Sequence, residues 1–396
     1  LYAAGLAVFA AASAACALAP GAGVLIGARV AQGVGAAIIM PLALGLLNGA
    51  FPPERRGWAT GIYGSVTGLA AMLGPVVGGA ITQGIAWQWI FWLNVPIGLL
   101  TIPFVLGRVR ESRGPAAALD LPGLALAAGA ALGLMWSLVR GNSAGWSSAE
   151  TLSALTAGIL LTIAFVTWEL HTGAPMLPMR LFRSRAFSAG NASIFLLNAT
   201  LTGAVFFTAQ FHQLALGQGP LGAGLRLLPW GIAPFLIAPR AGALADRIGE
   251  RLLTVIGTLL LAIGMGWLAL VAGPGARYAG MIAPMTIGGI GFSLAIPAIT
   301  KSVVSLVAPQ DIGKASGTYG TTRQLGGAFG VAILGVVFAA TGGYASAQTF
   351  SDGFAPALVV AAILALAGSA AGIAIPGRHH TQVAAVPAQP VTTKTR

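Results

Sequence analysis

Twelve apolar stretches, each close to the ~20 residues a bilayer crossing requires, follow one another along this chain. They occupy residues 2–19, 22–46, 57–82, 89–107, 120–139, 152–170, 187–208, 222–245, 252–271, 278–301, 315–340 and 354–375. In lipid every backbone N–H and C=O must be paired within the protein, so such a chain is restricted to helices or closed barrels. Uninterrupted stretches of this length select helices. The expected fold class is therefore all-α, a polytopic membrane protein with twelve transmembrane helices. Composition agrees: 8% of the 396 residues are charged, against about 25% in a soluble domain. The net charge of +12 would otherwise suggest a nucleic-acid partner. Here the basic residues sit in short segments between spans, so the expected partner is the lipid bilayer and no nucleic acid. The single cysteine, Cys16, excludes a disulfide framework, and the four histidines, at 171, 212, 379 and 380, never pair on one helix. No metal and no cofactor are expected.

One stretch occurs twice. Residues 281–330 lie on residues 25–74 at a constant shift of 256 without a gap. Gly33, Gly35, Pro41, Pro53, Gly57 and Gly61 fall on Gly289, Gly291, Pro297, Pro309, Gly313 and Gly317; Tyr63, Gly64 and Gly74 fall on Tyr319, Gly320 and Gly330. Such repeats of helix pairs mark secondary transporters. Within the first copy, a polar hinge, Pro52 to Gly57, separates an apolar run carrying Arg29 from one carrying Gly74, Pro75, Gly78 and Gly79.

Charge alternates between the connecting segments. Arg55, Arg56, Arg108, Arg110, Arg113, Arg180, Arg183, Arg185, Arg247, Arg251 and Lys314 fall on one side; Arg140 and Arg277 fall on the other. The positive-inside rule places the rich set in the cytoplasm, with both ends of the chain, and Trp87, Trp89, Trp92 and Trp146 in an outer aromatic belt. Spans two and three then match spans ten and eleven in the same orientation, a parallel repeat. Spans five and six have no counterpart. The complete design reads as 6 + 2 + 6 helices, of which this chain is expected to lack the first two. The expected divisions are 1–107, an incomplete N-terminal bundle of four helices; 108–186, two linker helices with flanking cytoplasmic loops; 187–375, a six-helix C-terminal bundle; and 376–396, a disordered cytoplasmic tail.

The motifs on these spans resemble those of the major facilitator superfamily, in its 14-helix drug:proton antiporter branch. Leu25, Arg29, Gln32, Gly33, Gly35, Ala36 and Ala37 match the fourth-helix motif; Gly61, Gly74, Pro75, Gly78 and Gly79 match the antiporter motif of the fifth, with Ala70 in place of a usual glycine. WQWIFWLNVPIG (Trp87 to Gly98) and TTRQLGGAFG (Thr321 to Gly330) fit the branch, and GALADRIGER (Gly242 to Arg251) resembles the superfamily's loop motif, with Glu250 replacing a basic residue. The resemblance implies a major-facilitator fold in the plasma (inner) membrane. It implies proton-coupled efflux of amphipathic or cationic drugs through rocking of two bundles, with a small molecule and protons as partners. The sequence leaves the oligomeric state open, and a monomer is expected. A permease for another metabolite is the alternative. A membrane enzyme or a scaffold fits less well, because no span carries an acid or histidine at mid-depth and the duplicated helices speak for transport.

Each motif residue has a physical reading. A charge in mid-span costs at least ~2.5–3.5 kcal/mol and is functional by default. Arg29 and Gln32 are expected to serve proton coupling. All nine acidic residues lie in loops or at span ends, so the acceptor for Arg29 is expected among backbone carbonyls, water or groups preceding residue 1. Gly61, Gly74, Gly78 and Gly79 permit close helix approach, and Pro75 bends its helix; in the resembled antiporters this seals the cavity. Gly242, Asp246, Arg247, Gly249 and Arg251 form the expected cytoplasmic gate, with Asp246 placed to cap the following helix. Asn94, Asn198, Gln210 and Arg323 are candidate cavity residues. His212 and Gln213, at the outer end of span seven, are expected to be solvated at the interface.

Overall fold

The computed structural model describes residues 1–108, 120–304 and 307–377, and a subset of side chains within 41–71, 233–246 and at 309 lies outside that description. Arg110, Arg113 and the tail from residue 378 onward therefore lie outside the described residues. The rest is helical, and no strand occurs among the described residues. The helices are α1 (Tyr2–Ala17), α2 (Ala22–Ala50), α3 (Pro53–Gly84), α4 (Trp89–Trp92), α5 (Asn94–Arg108), α6 (Leu121–Ala144), α7 (Ala149–His171), α8 (Arg185–Gln210), α9 (Pro220–Arg226), α10 (Leu228–Ile248), α11 (Glu250–Val271), α12 (Tyr278–Val304), α13 (Ile312–Thr341) and α14 (Ala347–Ile373). Each expected span coincides with one helix or a short pair. By length and apolarity, nine of the helical segments among the described residues can cross a bilayer, ten if α9 and α10 form one span; α1 is a shorter apolar helix.

Local chemistry sets the ends. Asp120 caps α6 by accepting from the Gly123 N–H at 2.9 Å, and that bond, chief among several contacts, holds its carboxyl below the ordinary carboxylate range. Ser148 caps α7 through the Thr151 N–H, and Ser346 with Thr349 forms a reciprocal capping box on α14. The polar hinge expected over Pro52–Gly57 is shorter than that. Pro53 takes the first helical position of α3, where a missing N–H costs nothing, so the helix already includes Glu54 to Gly57.

Glycines set the packing. In the C-terminal bundle a Cβ on Gly330 would strike the Ala199 carbonyl, and one on Gly326 the Phe195 carbonyl, so α13 lies backbone-to-backbone on α8. Gly257 and Gly291 do the same for α11 and α12, while a Cβ on Gly35 would fall 2.7 Å from the Phe9 N and joins α2 to α1. Gly35 and Gly291 are repeat partners, and both make the closest approach within their helix pair. Around the α8–α13 and α11–α12 contacts lies one core of Phe187, Leu197, Phe207, Phe211, Met265 and Phe354.

The α6–α7 hairpin is fastened to this bundle at both ends. Asn142 donates to the Val336 carbonyl at 2.6 Å. At the other end Lys314 donates to the Pro175 carbonyl at 2.8 Å, and Arg180 meets Asp311 with two bonds of 2.8 Å. Asp311 is 3% exposed, so this fork-to-fork pair, planar on both sides, holds the segment after α7 against the start of α13.

Candidate functional site

Three of the expected site residues converge on a serine. Arg29 donates to Oε1 of Gln32, one turn further on, at 2.6 Å, and its guanidinium lies 5.8 Å from the centre of the Phe91 ring. Gln32, 3% exposed, donates to Ser13 Oγ at 3.0 Å. Asn94 donates to the same oxygen at 3.2 Å, and Ser13 donates to the Phe91 carbonyl at 2.9 Å. A hydroxyl has one donor and two lone pairs, and Ser13 uses all three. The cluster ties α1, α2 and the α4–α5 segment together within the apolar part of the chain. Arg29 itself stays exposed. Its described acceptor is a side-chain amide on its own helix, a group that the expectation of backbone carbonyls, water or preceding groups did not include. A neutral amide one turn away carries no charge signal in the sequence, whereas a guanidinium's preferred acceptor is a carboxylate. Ser13 was missed because, between alanines, it reads as one more small packing residue.

Helix α3, which carries Gly74, Pro75, Gly78 and Gly79, meets the α9–α10 corner. A Cβ on Gly79 would strike the Pro220 carbonyl and one on Gly224 the Pro75 carbonyl, while one on Gly231 would fall 2.7 Å from Met72 Cγ. Gln83 Oε1 accepts from the Leu221 N–H at 3.1 Å. Pro75 and Gly79 are thus in a backbone-level contact between the first and second halves of the chain. Pro75 lies inside one continuous helix. No described atom lies within 4 Å of a Cβ on Gly74 or Gly78, and the side of Gly61 lies outside the described residues.

The expected gate loop is a helix–helix corner. Gly242 to Arg247 close α10, Gly249 turns the chain at φ +96°, and Glu250 with Arg251 open α11. Gly249 occupies the N-cap, and no side chain caps α11. The capping role expected of Asp246 falls on a side chain outside the described residues; the turn itself is made by a glycine at positive φ. Glu250 pairs with Lys301 of α12 at 2.8 Å, Arg247 is engaged, and Arg251 is exposed. Gly249, Glu250, Arg251, Val255 and Ile373 line a cleft of about 330 Å³ here.

The remaining candidates are not gathered. Asn198, 7% exposed, donates to the Ile194 carbonyl of its own helix at 3.2 Å. Gln210 ends α8 half-buried, and Arg323 is exposed on α13. Gln213 is exposed as expected, but His212 is fully buried. The expected interfacial solvation of His212 is therefore wrong: a π-type turn, Phe211–Ala215, rotates the ring inward, and no sequence period announces such a turn.

Comparison with known proteins follows this geometry. The family description "Major Facilitator Superfamily" matches residues 1–331. The Tetracenomycin C resistance and export protein of Streptomyces glaucescens is 32% identical over 89% of this chain. The Methylenomycin A resistance protein of Streptomyces coelicolor is 32% identical over 86% of it. The chain spans 65% of the length of the first and 72% of the second. A crystal structure of a POT family transporter in complex with 5-aminolevulinic acid superposes with a TM-score of 0.65 over 92% of this chain and 79% of its own, at 15% identity. That likeness concerns the fold alone.

Proposed function

The chain belongs to the Major Facilitator Superfamily, a family of multi-pass membrane transporters and not of enzymes, and on that premise we propose that it exports amphipathic or cationic compounds in exchange for protons. We place it in the 14-helix drug:proton antiporter branch, in the inner membrane, with both ends cytoplasmic and a site between two bundles that rock about it. The observation that carries this reading is the cluster of Arg29, Gln32, Ser13 and Asn94. A guanidinium held on a buried amide, with donors to spare, is suited to an anionic or proton-bearing group that arrives and leaves. The contact of Pro75 and Gly79 with Gly224 and Pro220 supplies the seal: two backbones in contact leave no channel for a proton between them. The names of the two relatives, resistance and export proteins, favour drugs over nutrients as cargo. Asn198, Gln210 and Arg323 remain candidates for cargo contact, and Gly242 to Arg251 for the cytoplasmic gate.

The test is dye efflux from proteoliposomes of the full-length protein under an imposed pH gradient. Arg29→Ala should insert normally and lose proton-driven efflux at least tenfold. Arg29→Lys should keep part of it, because lysine retains the charge but not the planar fork of donors. Wild-type rates from Arg29→Ala would remove Arg29 from the coupling mechanism. A wild-type protein that ignores the gradient would end the antiport reading.

A further inference from the structure

At the far end of α8 from Ser184 lies a buried imidazole that the reading above leaves unused. α8 does not stop at Gln210 but continues as a single π-type turn, Phe211–Ala215, a feature common at functional sites. His212 on that turn has no exposed surface, and neither Nδ1 nor Nε2 has a hydrogen-bond partner among the described residues. A neutral imidazole carries one donor and one acceptor whichever tautomer is present, so both are unmet. Thr208, one turn earlier, is also fully buried with an unpartnered hydroxyl. Native cores leave few polar atoms in this state, and three of them lie within one turn of α8.

The surroundings join three elements. The His212 ring stands edge-on to Tyr278, the first residue of α12, at 5.9 Å. The Arg226 guanidinium, at the end of α9, covers the same Tyr278 ring at 5.3 Å. α9 in turn is the element that Pro75 of α3 touches at Gly224. The charged and titratable groups around His212 are few. α9 brings Arg226 and α12 brings Tyr278. α14 brings Phe350 and Phe354 against Phe211, and its Asp352 is exposed and bonded to Gln348. α8 has no other charged residue but Arg185 at its opposite end.

We propose that His212 is a proton-binding site of this transporter, loaded from the outer aqueous side when the Arg226–Tyr278–His212 contact opens and emptied when the contact re-forms. The step is a simple transfer: a proton leaves hydronium, bonds to the lone pair of the unprotonated ring nitrogen, and returns to water on closure. The imidazolium would carry two donors, for which the closed packing offers no acceptor, and would set a second cation across Tyr278 from Arg226. Proton occupancy and the closed contact therefore exclude each other, which is a linkage between the proton and α9. Because α9 rests on α3, opening this contact also loosens the Pro75–Gly224 seat.

This rests on the proton-driven reading and the assigned orientation, and the test separates the two. Histidine-labelled full-length protein in lipid is titrated by solid-state NMR between pH 5 and 8, with His212→Gln assigning the signal. His212→Phe, which keeps the ring packing, serves as a second variant should the first misfold. The His212 signal should change protonation state under external acid, and both variants should lose the dependence of pH-driven efflux on external pH at least fivefold. Asp352→Asn, at the same end, should keep that dependence. A His212 signal that stays constant over this range, or variants with the wild-type pH profile, overturns the proposal. If the signal titrates but wild-type liposomes show no gradient-driven efflux, the site stands and the antiport reading falls.

Discussion

The helix pairs α1–α2 and α11–α12 share one plan and hold different chemistry. In both, a repeat-related glycine, Gly35 or Gly291, brings the pair to backbone contact. At the repeat shift Arg29 falls on Met285 and Gln32 on Gly288. The first pair places a charge on an amide and a serine; the second places Met285, fully buried, and a glycine against Met265, Trp230 and Leu261. The same division appears further along the repeat. Gly330 is pressed on α8, whereas no described atom lies within 4 Å of a Cβ on its partner Gly74. At these positions the second pair is joined by apolar side chains and the first by a polar cluster.

Exchanging the two chemistries should break the comparison most visibly. Met285→Arg puts a charge where no acceptor exists and should destabilise the protein by about 3 kcal/mol or more, seen as lost monodisperse protein after detergent extraction. Survival with an unchanged melting temperature would mean that the C-terminal copy tolerates polarity as well as the first. A methyl group probes the same contrast more gently. Gly330→Ala forces α13 from α8 and should cost about 2–3 kcal/mol. Gly74→Ala meets no described atom and should gain up to about 1 kcal/mol from helix propensity. Melting temperatures that fall equally for both would erase the distinction. The smallest expected effect is at the polar hub. Ser13→Ala removes one donor and one shared acceptor, for about 1 kcal/mol, and should lower pH-driven efflux several-fold while leaving the melt nearly unchanged. A full loss of fold from Ser13→Ala would make the cluster structural.

Much of this architecture was legible in the chain. Apolar stretches located the helices, and the repeat paired α2–α3 with α12–α13. The faces of the helices were not legible. In a soluble helix the apolar stripe marks the buried side, but in lipid both sides are apolar. Nothing in the sequence therefore separates Gly330, jammed on Ala199, from Gly74, or Asn198, turned onto its own helix, from Asn94, turned onto Ser13. Short polar contacts across helices, such as Gln83 to the Leu221 N–H, depend on helix rotation and stay hidden for the same reason. The gate motif was found as a string but read as a loop, because the one residue that turns the chain, Gly249, needs so little room that both helices run up to it.

The fastening of α6–α7 has a mechanical consequence. Asn142 at one end, and Lys314 and Arg180 at the other, leave the hairpin no independent way to swing. Kinematically the chain then comprises two linked bodies instead of three, α1–α5 and everything after α5. In the proposed rocking the hairpin would travel with the C-terminal bundle, as an outrigger to it, instead of moving by itself.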